Sequence, residues 1–161
     1  MKKDILIPAL LFIPLLVMQL TIVPLISIDF ISPDLILILL VYFTLLNGQL
    51  YGTIAGAAFG LLFDLFSGGL IGGSMFSKTV AGFVAGYFYN ENKVDSNVNS
   101  INFTYIVFFS AFIDSFLYGI FSGVESSSIL FLLFDKGLLP AVYTAIISII
   151  VIVVKPKRIS L

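Results

Sequence analysis

The chain has 161 residues, 60% of them hydrophobic and 11% charged, with a formal net charge of −1. A soluble domain of this length could not hide so much apolar surface, and the mean hydropathy of +1.16 points to lipid as the solvent. Cys and His are absent and no basic tract is long, which excludes disulfides, thiolate chemistry, the usual general base, the commonest metal ligand and nucleic-acid binding.

In chain order, a first hydrophobic block covers about residues 5–26, behind Lys2 and Lys3. It is too long for a signal peptide and no small-x-small site follows it, so it reads as an uncleaved spanning helix, loosened near Pro8 and Pro14. The segment SIDFISPD breaks the pattern, and Ser32, Pro33 and Asp34 form a helix-start motif: a capping hydroxyl, a first-position proline and an early carboxylate. The second span covers about 33–47, and Asn47, Gly48 and Gln49 make a turn.

A third span, about 50–66, ends at the turn SGGLIGG, residues 67–73, and a fourth covers about 74–89. The turn lacks the Lys-Ser/Thr ending and the strand-to-helix setting of a phosphate loop. Residues 90–100, NENKVDSNVNS, read as a solvated linker, and the fifth span covers about 101–122. ESSS, residues 125–128, reads as an exposed loop, and Ile129–Phe134 as an interfacial or re-entrant piece. The sixth span is 137–154, followed by the basic tail KPKRISL. With no Trp, an interfacial aromatic belt must come from the seven Tyr. The expectation is one membrane domain, an all-α, polytopic bundle of six transmembrane helices. Six spans put Lys2, Lys3, Lys93, Lys155, Lys157 and Arg158 on one side, so the positive-inside rule places both termini and the 90–100 loop in the cytoplasm.

Gly48, Gly52, Gly56 and Gly60 recur every four residues, and Asp64 continues the series. Residues four apart share a helix face, and small residues there let another backbone approach closely in lipid. Gly82 and Gly86 give the fourth helix a similar face. The favoured reading is that these glycines close the bundle on itself; a docking groove for a partner helix is the lesser one. Asp64 should then face protein. An ion pair with Lys78, which lies at a matching depth across the turn, would lower the cost of Asp64, as would a neutral, protonated carboxylate; Asp114, also intramembrane, could share Lys78 and completes a charge cluster. A proton or ion relay wants acids spread through the membrane depth, so a structural clasp or a ligand site fits this one-sided cluster better. FDLFSGG and IDSFLYG are loosely alike, a short hint of duplicated halves. No nucleophile has a base and no metal-ligand cluster is visible, so neither an enzyme nor a cofactor is expected.

Residues 32–88 resemble the core of the MreD family, the bacterial rod shape-determining membrane proteins. The resemblance rests on Pro33-Asp34-Leu35, the Gly52–Gly56–Gly60 stripe, Asp64 in GLLFDLFSGG, Gly72, and Gly82 with Gly86. It implies a non-enzymatic scaffold of the elongasome in the bacterial inner membrane, regulating cell shape and peptidoglycan synthesis through binding MreC. Through that single-span partner it implies links to MreB filaments, RodA and a class B penicillin-binding protein. It also implies a fold similar to the S-components of energy-coupling-factor transporters. The alternative is therefore a solute-binding subunit of a vitamin or small-molecule transporter. Against this, the first block has no Ala-x-x-x-Ala-like docking motif.

Overall fold

The computed structural model describes residues 2–28, 31–122, 130 and 132–154. The expected ESSS loop, Asp29, Ile129 and the basic tail lie outside the described residues. Every element of two or more residues within the described chain is helical, apart from an isolated bridge between Ile28 and Ile31.

Helix α1 runs Lys2–Thr21 with Pro8 and Pro14 inside it, and the short α2, Val23–Ile26, follows. Helix α3, Leu35–Asn47, is the centre of the molecule: Ile36, Leu37, Leu40, Val41 and Leu45 are buried on all sides. It starts later than the Ser32-Pro33 pair suggests. Asp34 is itself the N-cap, with φ −106° and ψ 99°, and its Oδ1 accepts the Leu37 N–H at 2.8 Å. Pro33 thus sits before the cap rather than in the first turn, because a carboxylate two to three residues short of a free N–H outcompetes a more distant hydroxyl. Elements on both sides hold this start. Gln19 of α1 donates to the Pro33 carbonyl at 3.0 Å and accepts the Leu35 N–H at 2.9 Å. The Asp34 N–H donates to Thr144 Oγ1 at 3.0 Å.

Helices α4, Gln49–Ser67, and α5, Gly73–Gly86, form an antiparallel hairpin. The expected linker 90–100 is largely structured: a 3-10 turn, Glu91–Lys93, leads into α6, Val94–Asn99, whose Val98 is buried against the core. Asn90 and Ser100 cap the 3-10 turn and the next helix through their side chains, which is why so polar a stretch holds local structure. Helix α7 is Ile101–Phe121.

The last segment differs from expectation. A π-helix, Leu132–Leu138, runs directly into α8, Leu139–Val154, so Leu132–Phe134 is not a separate re-entrant piece. Asp135 and Lys136 pair with each other at 3.3 Å near the surface and need not break the helix. Gly119 and Gly137 allow the close approach of this segment to α7: a Cβ at Gly119 would lie 3.0 Å from Lys136 Cβ, and one at Gly137 3.1 Å from Phe112.

Among the described residues, three helices are long and apolar enough to cross a membrane by length and composition: Gln49–Ser67, Ile101–Phe121 and Leu132–Val153. The apolar parts of the first and third helices, Ile7–Thr21 and Leu35–Asn47, are shorter. Around the apolar centre on α3, the exposure pattern departs from a soluble protein's. Leu25, Leu50, Phe66, Ile71 and Val153 are strongly exposed, whereas Asp64, Ser74, Ser77, Lys78, Ser110, Asp114 and Ser148 are buried. An apolar exterior, with polar side chains sequestered inside beside an apolar core, is what a lipid solvent selects, since polar groups there must find partners within the protein.

Candidate functional site: a buried charge cluster and its cavity

The glycine stripe positions everything around it. In α4, Gly52 faces Gly82, Gly56 faces the backbone of Lys78, and Gly60 faces the backbone of Ser74 and Met75, while Gly86 faces Gln49. A Cβ at Gly52 would stand 2.8 Å from the Gly82 carbonyl oxygen, and one at Gly60 2.6 Å from Met75 Cα. No side chain fits between these backbones, so α4 and α5 touch along their full length. Gly48 is in the stripe by spacing only: its φ of +94° serves the α3–α4 turn, and its nearest neighbour, Tyr89, is at an ordinary 3.6 Å.

That contact puts Asp64, near the end of α4, over the N-terminus of α5. The turn between them uses positive φ at Gly68 (+69°) and Gly72 (+96°). Gly72 is the N-cap of α5 and has no side chain to offer. Asp64 takes over that task from the preceding helix: Oδ2 accepts the N–H of Gly72 at 2.9 Å and of Met75 at 3.1 Å, and Oδ1 accepts the N–H of Ser74 at 3.2 Å. Three otherwise orphaned donors and the positive end of a helix dipole balance this carboxylate without any cation. The expected ion pair between Asp64 and Lys78 is therefore not what the structure shows.

Lys78, one turn further along α5, has other partners. Its Nζ donates to Asp34 Oδ2 and, at 3.0 Å, to Asp114 Oδ2, and it lies 5.8 Å from the centre of the Phe63 ring. Three helices that are distant in sequence thus meet on one ammonium. Ser77 stands beside Asp114, with its hydroxyl directed to the Ser74 carbonyl at 3.3 Å. Asp114 Oδ1 and Ser110 Oγ are buried without a hydrogen-bond partner among the described residues.

The cluster forms one wall of a cavity of about 370 Å³. Its other walls come from Gln19, from Ser115 and Tyr118 on α7, and from Lys136 and Pro140 on the final segment. All of these lie at the end of the bundle where α3, α5 and the final helical segment begin and where α4 and α7 finish. Sequence reasoning gathered Asp64, Lys78 and Asp114 but read Asp34 only as a cap and overlooked Gln19 and Thr144. The one available signal was composition, since each is a polar side chain close to or within an apolar run. No group of three potential metal-ligating side chains forms among the described residues.

A family model for the rod shape-determining protein MreD matches residues 2–155. The chain belongs to the MreD family. No curated protein and no solved structure gives a significant match. Membership gives this MreD-family chain a role in rod shape determination and agrees with its apolar helices in making it a membrane protein. The match takes in the α4–α5 hairpin, the charge cluster and the cavity alike.

Proposed function

We propose that the chain is a non-enzymatic scaffold of the elongasome, acting on cell shape and peptidoglycan synthesis by binding an MreC-like single-span protein. The observation that carries this reading is the family match over residues 2–155. The architecture supports it physically. The buried charges are engaged with one another or with backbone amides, and large apolar side chains cover the exterior. What such a bundle offers a partner is its helix faces, which in lipid associate by packing and by polar contacts.

In this reading the chain lies in the bacterial inner membrane as six spans with both termini in the cytoplasm. It resembles energy-coupling-factor S-components in fold, and RodA and a class B penicillin-binding protein join through the MreC-like partner. The charge distribution supports the orientation, because Lys93 and the basic residues of both ends fall on one side. The cavity and the charge cluster then lie at the outer end, opposite Lys93.

The test has two parts. Co-expression with the MreC-family protein of the same genome should yield a stable complex after detergent extraction, and the chain should restore rod shape to a bacterium depleted of its own MreD. Absence of a complex together with persistently round cells would refute the scaffold. A reporter fused after Leu161 should read cytoplasmic; an external signal would overturn the six-span arrangement.

A further inference from the structure

We propose that the cavity at the Asp34–Lys78–Asp114 cluster is a binding site for a primary ammonium group, carried by a small solute or by an aminolipid headgroup. The proposal goes beyond the scaffold reading and does not depend on it. Its volume of about 370 Å³ falls in the range of small-ligand sites, roughly 300–1,000 Å³.

Charge selects the class of ligand. Asp34 and Asp114 share the single ammonium of Lys78, and at the cavity's edge Lys136 is already paired with Asp135. Carboxylates therefore outnumber ammoniums, and Asp64 nearby is balanced by backbone amides rather than by a cation. An anion would meet this excess negative charge, whereas a cation would offset it.

Hydrogen bonding narrows the class. Among the described residues, Asp114 Oδ1 has no donor. Asp34 has the most accessible side chain of the three, at 20% exposure against 3% for Lys78 and 6% for Asp114. It is the carboxylate that an arriving group reaches first. Ser115 and Tyr118, which line the α7 wall, carry further hydroxyl oxygens. A primary ammonium brings three N–H donors to these oxygens. A quaternary ammonium of the same charge brings none, and a neutral diol brings donors without charge.

The purified full-length chain is melted in detergent micelles, followed by circular dichroism, with ethanolammonium, tetramethylammonium or ethylene glycol. Ethanolammonium should raise Tm saturably, on the order of 3 °C, and the other two should not. Asp34→Asn, which keeps an oxygen for capping α3, should abolish the rise. Should that variant not fold, the contrast between the two cations in the unaltered protein decides alone. Nanodiscs of phosphatidylethanolamine and of phosphatidylcholine separate the sources. A rise in micelles with the free amine assigns a solute, and higher stability in phosphatidylethanolamine than in phosphatidylcholine, without a response to the free amine, assigns the headgroup. Equal shifts with tetramethylammonium, or no shift in either arm, overturn the proposal.

Discussion

Helix α5 solves one problem in two opposite ways. Toward α4, Gly82 and Gly86 remove side chains, and backbone meets backbone. Toward α3 and α7, Lys78 of the same helix makes the contact, through an ammonium held by two carboxylates. Lipid supplies no hydrophobic drive between helices, so association must come from close packing or from polar contacts. The glycine side leaves no room for adjustment. The charged side is strong only while its partners are complete.

Gly56→Leu is expected to have the largest effect, because a side chain there meets the Lys78 backbone, which cannot rotate away. The substitution should leave little monodisperse protein on size exclusion. Normal yield and an unchanged melt would show that the seam can open. Lys78→Ala comes next, at about 3–5 kcal/mol, since it strands Asp34 and Asp114 together. Measured by denaturant titration, its cycle with Asp114→Ala should be strongly non-additive. Its cycle with Asp64→Ala should add to within about 0.5 kcal/mol, and clear coupling there would restore an Asp64–Lys78 pair.

Asp64→Ala alone should cost about 2–3 kcal/mol. It should also speed hydrogen exchange at Gly72, Ser74 and Met75, whose amides the carboxylate now holds. Unchanged exchange at those three would remove Asp64 from its capping role. The smallest effect is expected for Ser110→Ala, within about 0.5 kcal/mol or slightly stabilising, because the hydroxyl it deletes is buried without a partner among the described residues. A loss of several times that amount would mean that Ser110 is bonded after all.

How legible all this was in the chain depends on the distance over which each feature is written. Glycines four apart lie on one helix, so the face they form follows from helical geometry alone, and the helix limits near residues 67, 101 and 121 follow from local turn and capping chemistry. The choice of partner for Lys78 did not follow. A matching depth across the turn pointed to Asp64, but that carboxylate was closer to three amides whose own cap, Gly72, lacks a side chain. Asp34 reaches Lys78 only because α3 runs beside α5, a fact of helix arrangement that periodicity does not encode. Gln19 and Thr144 were overlooked for the same reason: each bonds to backbone more than a dozen residues away. The π-helical start of the last segment was missed because an adjacent acid–base pair looks like a break until its own ion pair is seen.

The three-way meeting at Lys78 also has a direction in time. Asp34 is made 44 residues before Lys78, and Asp114 36 residues after it. In the proposed six-span arrangement, a ribosome that has released α5 into the bilayer has therefore supplied one acid for one base, a neutral couple at low cost to insertion. The surplus acid arrives only with α7, so a nascent chain arrested near residue 100 should integrate as readily as the finished protein, and protease protection of such an arrested chain would reveal whether it does.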